Sequence, residues 1–345
     1  MRTYRTAGIL LAAATSLALF ASSASAATAA PSTRAIVIVS GGAAISPFTA
    51  PGEICRSGYS AGSTDTFMRT YFVKRGYRVF TSPAMGGRGK VLEQPGKAGP
   101  FRNCAKALPD YMTVDSTGDI GLAGEHLASF LEHLQTTYGI REIDLVAHSM
   151  GGLYSRAAIR HLSETGSTLK FRSLNTIGTP WQGAYLANST DPANPYAVCD
   201  GFPVCTAVLD AFLPHAPVLL VELKYAYMRA FNKFYEGDLD HIPVTMVGGN
   251  AFTKVGGLST TWPNDGIVAI DSALGKKVSN AVIKHRRCFL LQGGTHSLYM
   301  SRVAKLADST GITWNKTVGA VINQAIKGSA SAMTTPNRIG CPAVG

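Results

Sequence analysis

Beyond its first residues the chain has no apolar run approaching the roughly 18 uninterrupted residues of a membrane helix, which excludes a transmembrane segment from its body. It is also short of acid, with 21 Asp and Glu against 32 Lys and Arg and a formal net charge of +11. The basic residues lack an interleaved aromatic platform or a nucleic-acid motif, so the surplus does not argue for a nucleic-acid partner. Cys-x-x-Cys and Cys/His pairs at zinc spacing are missing as well, and neither a metal nor another cofactor is expected. No internal repeat or low-complexity tract follows the first residues, which argues against a repeat architecture.

What is present starts with a targeting pattern. Arg2 and Arg5 precede the apolar run Ala7 to Phe20, and Ala24-Ser25-Ala26 follows. Residues 1–26 read as a secretory signal peptide, so the protein is expected outside the cell. Residues 27–345 then form one domain of about 320 residues, within reach of large α/β enzymes. Without Arg2 and Arg5, 30 basic residues still face 21 acidic ones. Part of that charge gathers between Arg69 and Lys106, where a solvated face is the simpler reading and attraction to an anionic lipid surface the alternative. Six cysteines remain, Cys55, Cys104, Cys199, Cys205, Cys288 and Cys341. An even number in an oxidising compartment implies disulfides, and many connectivities are open. Sequential pairing is expected: Cys199 and Cys205 can staple a small loop, and Cys288 and Cys341 can tie the tail to a late strand.

Six short apolar runs alternate with helical patterns: 35–39, 77–81, 143–147, 171–177, 242–247 and 287–291. Strands alternating with helices imply a mostly parallel sheet covered on both faces. One helix is expected from Asp119 to Tyr138, with Leu127, Phe130, Leu131 and Leu134 on one side and Gly139 ending it. Others are expected over 152–164, 298–307 and 314–326. Residues 183–240 are a long excursion rich in apolar side chains, read either as a cap or lid or as an ordinary buried insert. Its second half, 208–235, reads as helix.

The chemistry concentrates at Ala147-His148-Ser149-Met150-Gly151-Gly152, where a buried-strand pattern runs straight into a serine between small residues. This is the pattern of a nucleophile elbow, which needs small side chains two before and two after the serine for steric reasons. A serine hydroxyl needs a general base, and the base needs an orienting carboxylate. His296 follows the last predicted strand and is the candidate base; His285 precedes that strand, at the wrong end. Asp265, in Asn264-Asp265-Gly266, is the candidate acid and Asp271 its rival. The oxyanion requires two backbone N–H donors. Met150 supplies one, and the other comes from Ser40-Gly41-Gly42-Ala43, with Gly42 preferred and Ala43 next.

Taken with Gly178-Thr179-Pro180-Trp181 and Thr295-His296-Ser297, these segments resemble the secreted bacterial lipases and esterases of the α/β-hydrolase superfamily. Ala147 in place of the first elbow glycine is shared with Bacillus-type lipases. Two positions depart from the family pattern: Ser40 stands where His is usual, and Trp181 follows Gly-Thr-Pro, where it either lines an acyl pocket or packs beneath the insert.

The resemblance implies a serine carboxylic-ester hydrolase, a lipase on acylglycerols, working as a monomer on a lipid or ester substrate at an interface. A polyester depolymerase or cutinase-like esterase and an acyltransferase are alternatives with the same chemistry. A non-catalytic lipid-binding module on the same fold is the alternative of another class.

Overall fold

The structure, a computed structural model, describes residues 32–53, 67–91, 107–189, 193–328, 338–339 and 341. The proposed signal segment, Cys55 and Cys104 lie outside the described residues. In chain order the strands are β1 (Arg34–Val39), β2 (Val79–Thr81), β3 (Ala84–Met85), β4 (Val114–Asp115), β5 (Glu142–His148), β6 (Lys170–Ile177), β7 (Val244–Gly249), β8 (Arg286–Leu291) and β9 (Arg338–Ile339). The α-helices are α1 (Thr70–Val73), α2 (Ile120–Tyr138), α3 (Gly151–Glu164), α4 (Pro203–Phe212), α5 (Pro217–Glu222), α6 (Tyr225–Phe234), α7 (Ile270–Ala273), α8 (Leu298–Val303) and α9 (Lys316–Gly328).

Seven strands form one sheet in the order β2-β1-β5-β6-β7-β8-β9, every neighbouring pair parallel. Helices on both sides follow from the sequence of β1 and β5, whose apolar side chains point alternately to the two faces. Ala35, Val37, Val39, Ile143, Leu145 and Ala147 enter the larger core with α2 and α3. Ile36, Ile38 and Val146 enter a second core with Phe72 of α1 and Ile322 of α9. The mostly parallel, doubly covered sheet read from the sequence is the observed one.

All six strand expectations match an observed strand. The three not anticipated, β3, β4 and β9, are two residues long and carry no periodic signal. The α2 boundaries also match, because both ends are encoded locally. The Asp119 carboxylate accepts the Leu122 N–H at 2.9 Å, and Gly139 takes the left-handed conformation at φ 66° that glycine adopts without a Cβ penalty.

The 208–235 reading needs correction: three helices occupy 203–234 where one was expected. Pro217 is the cause at the first break, since proline disfavours helical backbone in the residue before it and suits the first turn of a new helix. Ala216 is accordingly at φ −143°, ψ 52°. Lys224, extended at φ −64°, ψ 143°, then separates α5 from α6. The 298–307 helix is also shorter, ending at Val303 before Lys305 at φ 56°.

The insert is bound to the body in two ways. Leu219, Leu223, Met228 and Phe231 belong to the larger core, whereas Val208 and Leu209 of α4 join Tyr185 and Met300 in a separate cluster. Cys199 and Cys205 are bonded in that cluster, and Cys288 of β8 is bonded to Cys341. Among the described residues no helix is long and apolar enough to cross a membrane.

Candidate active site

Ser149 lies between the last residue of β5 and the first turn of α3, and its φ is +54°. Positive φ is uncommon for a non-glycine residue and marks a backbone held by its surroundings. Here the Ser149 N–H donates to the Ile177 carbonyl at 2.8 Å, and its carbonyl accepts the Thr179 hydroxyl at 2.8 Å. The glycines around it are sterically required. A Cβ on Gly151 would fall 2.7 Å from the Val39 carbonyl oxygen and 2.6 Å from that of Ser40; on Gly152 it would meet the Thr179 hydroxyl at 2.3 Å. The elbow is therefore clamped between β1 and the loop after β6, and Ser149 stays half-buried at the carboxyl end of the sheet.

His296, on the loop after β8, is brought to the same end. Its Nδ1 is 2.8 Å from Asp265 Oδ2, both side chains being buried, and its N–H donates to the Asp265 carbonyl at 2.8 Å. Asp265 is oriented in turn, because its Oδ1 accepts the N–H groups of Ile267 at 3.0 Å and Val268 at 2.8 Å. One carboxylate oxygen is thus occupied by its own turn, and the other faces the imidazole. With Nδ1–H directed at a carboxylate, Nε2 is left as the acceptor. Gly178 sets how closely this ring approaches the sheet: a Cβ there would lie 3.0 Å from His296 Nδ1 and Cε1.

Asp271, the rival acid, sits in the first turn of α7 and faces Lys276 at 3.3 Å. His285 lies at the amino end of β8, its carbonyl accepting the Val244 N–H. Neither joins the Ser149 site.

The loop after β1 comes against the elbow. A Cβ on Gly41 would lie 2.6 Å from Ser149 Cβ, and one on Gly42 would lie 3.1 Å from Met150 Cγ. The Ala43 N–H donates to the Ser116 carbonyl at 2.8 Å, which removes Ala43 from the two candidates for the second donor. The N–H groups of Gly42 and Met150 have no protein acceptor among the described residues. Ser116, not anticipated, braces this loop, since its hydroxyl also donates to the Ala44 carbonyl at 2.8 Å and its carbonyl accepts the Tyr154 hydroxyl. Ser40 is buried, and its hydroxyl has no hydrogen-bond partner among the described residues.

For Trp181 the structure decides between the two readings. The ring is 0% exposed and packs beneath the insert, with Nε1–H donating to the Thr176 hydroxyl at 3.2 Å and the Arg156 guanidinium 4.9 Å from its centroid. A substrate-lining role for Trp181 is therefore corrected to a core role. Leu219 of α5 brings an apolar side chain of the insert to the loop after β1: its Cδ1 would lie 2.8 Å from a Cβ on Gly42.

His148 is the other residue whose contacts sequence reasoning missed. Its Nε2–H donates to the His296 carbonyl at 2.9 Å, and the two rings lie 4.7 Å apart at 47°. Burial, and then the neighbouring His296, push its pKa well below the usual imidazole value, so the ring is neutral. Strand parity puts His148 on the Val146 face of β5, but no sequence pattern says that the loop after β8 returns over that face.

Sheet order, elbow and loop placement are those of an α/β-hydrolase, and the chain has that fold. Residues 110–193, which contain β5, the elbow and β6, match a family described as "Putative serine esterase (DUF676)". Among solved structures, the Bacillus licheniformis lipase BlEst2 in its propeptide form aligns with a TM-score of 0.51 at 17% identity, over 90% of this chain and 52% of that one. The chain thus spans about half the length of that lipase, and the likeness is one of fold. The lin2722 gene product of Listeria innocua aligns with a TM-score of 0.44 at 16% identity, over 89% and 98% of the two chains. The Pyrococcus furiosus esterase Pf2001 aligns with a TM-score of 0.40 at 13% identity, over 86% and 84%. No curated protein matches the chain in sequence.

Proposed function

We propose that the protein is a secreted serine carboxylic-ester hydrolase, a lipase acting on acylglycerols, with Ser149 as nucleophile, His296 as general base and acid, and Asp265 as the orienting carboxylate. The observation that carries this reading is the buried Asp265–His296 pair delivered to the sheet end where Ser149 is held at φ +54°. Ser149 Oγ attacks the ester carbonyl carbon while its proton passes to His296 Nε2. The oxyanion forms against the N–H dipoles of Met150 and Gly42, which carry no protein acceptor among the described residues and whose positive ends stabilise the developing negative charge. Collapse breaks the ester C–O bond, and the alcohol leaves with the proton from His296. Water, deprotonated by the same Nε2, then attacks the acyl-enzyme and releases the carboxylic acid and Ser149.

An acylglycerol substrate is supported by the apolar insert, whose Leu219 lies over the Gly42 loop, because an acyl chain needs apolar surface next to the reacting carbonyl. Export is supported by the pattern of residues 1–26 and by the two cystines.

A fluorophosphonate probe followed by peptide mapping is the direct test. Labelling of Ser149, lost in Ser149→Ala, is the expected result; a folded protein that stays unlabelled sinks the ester-hydrolase reading. Emulsified triolein assayed beside a soluble butyrate ester and a solid polyester separates the substrate classes, and activity confined to the polymer overturns the lipase assignment.

A further inference from the structure

A groove of about 650 Å³, lined by none of the residues of the Ser149 site, lies between α1 and the start of α9. Its floor is aromatic. Phe67 lies between Trp314 and Tyr71, with ring centroids 5.4 Å and 6.3 Å apart respectively, and each of the three rings is part exposed. Gly319 makes room for this floor, since a Cβ there would fall 3.0 Å from the Tyr71 ring.

The rim is cationic. Lys74, Arg75 and Lys316 line it, all exposed, and no carboxylate does. Among the described residues none of the three has an acidic partner, whereas Lys233, Lys254, Lys276 and Arg302 elsewhere each face one. Arg75 is fixed over the Tyr71 ring at 3.5 Å from its centroid and donates to the Tyr71 carbonyl at 2.8 Å.

The groove also adjoins the His296 loop. Trp314 is two residues beyond Ile312, whose N–H donates to the Thr295 carbonyl at 2.9 Å and whose side chain closes on Gly178 beside His296. Cations without an acidic partner among the described residues, ringing part-exposed indole, phenol and phenyl rings, match the two layers of a lipid surface: anionic headgroups for the cations, and the headgroup–acyl boundary for the rings. We propose that this groove docks the protein on anionic lipid surfaces. Lys74, Arg75 and Lys316 engage the phosphates, while Trp314 and its aromatic neighbours enter the boundary layer.

Co-sedimentation of the purified protein with vesicles of phosphatidylcholine alone, or mixed with phosphatidylglycerol, tests this without requiring turnover, so its outcome is independent of the ester-hydrolase reading. Binding is expected only to the mixed vesicles and is weakened by salt. The triple variant Lys74→Ser/Arg75→Ser/Lys316→Ser should lose on the order of a hundredfold in affinity while keeping its turnover of a soluble ester. The control Lys233→Ser/Lys254→Ser/Lys276→Ser removes equal charge elsewhere and should bind like wild type. Trp314 fluorescence should shift to the blue on the mixed vesicles, and the shift should vanish in Trp314→Phe. Equal loss in both triple variants, equal binding to both vesicles, or displacement by free glycerol phosphate would each overturn the proposal; the last would make the groove a site for a small soluble anion.

Discussion

The His148 ring donates a hydrogen bond to the main chain of His296 at 2.9 Å and lies against its imidazole. The residue preceding the proposed nucleophile therefore holds the loop that carries the proposed base. Neither ring needs to exchange a proton with the other for this contact to matter, because it fixes where the His296 main chain sits relative to the elbow.

His148→Ala is expected to lower kcat by about tenfold to a hundredfold with KM nearly unchanged, since a base displaced by a fraction of an ångström loses reaction geometry before it loses substrate affinity. His148→Gln, which can still donate to the His296 carbonyl, should recover part of the loss. Equal kcat for both variants and wild type would remove His148 from the positioning role.

Asp265→Asn should reduce kcat by about four orders of magnitude, because an amide in place of Oδ2 no longer favours the Nδ1–H form of His296. The other oxygen keeps the Ile267 and Val268 N–H bonds. Thermal stability is therefore expected to change far less than turnover, and a melting curve beside the rate measurement separates the two effects.

Gly151→Ala should destabilise the fold by about 3 kcal/mol, because the added methyl meets the main-chain oxygens of Val39, at the end of β1, and of Ser40, which cannot rotate away. A drop of several degrees in Tm is the expected reading. A variant as stable as wild type would mean that the elbow tolerates more space than these carbonyls leave.

Glu222 links the insert to the body: its carboxylate accepts the Ile120 N–H at the start of α2 and the Tyr227 hydroxyl. Burial, and then the Asp119 carboxyl, raise its pKa to about 7 from an ordinary 4.5. The folded state thus favours the protonated acid. Its contribution is fully present below about pH 4.5 and is lost as the pH rises to about 7. Glu222→Gln, which cannot ionise, should gain Tm relative to wild type progressively across that window and hold the gain above it. A constant difference in Tm at every pH would show that folding does not shift the Glu222 pKa.

The amino-acid sequence by itself determined what depends on neighbours along the chain. The alternating apolar residues of β1 and β5 dictated a sheet buried on both faces; Asp119 and Gly139 dictated the ends of α2; and Ala147 to Gly152 dictated the elbow, since only small residues survive beside it. Asp265 and His296 were legible because each follows a strand that the apolar pattern had already located. Tertiary structure decided what depends on which loops meet. The Ser116 carbonyl removes Ala43 from the second-donor position, Arg156 and Thr176 bury Trp181 in the core, and the loop after β8 returns over His148. It also brought Phe67 and Tyr71 to Trp314, residues far apart in the chain. A local pattern specifies a strand or a helix end, but a contact between distant loops depends on sheet order and register, which emerge only when the whole core packs.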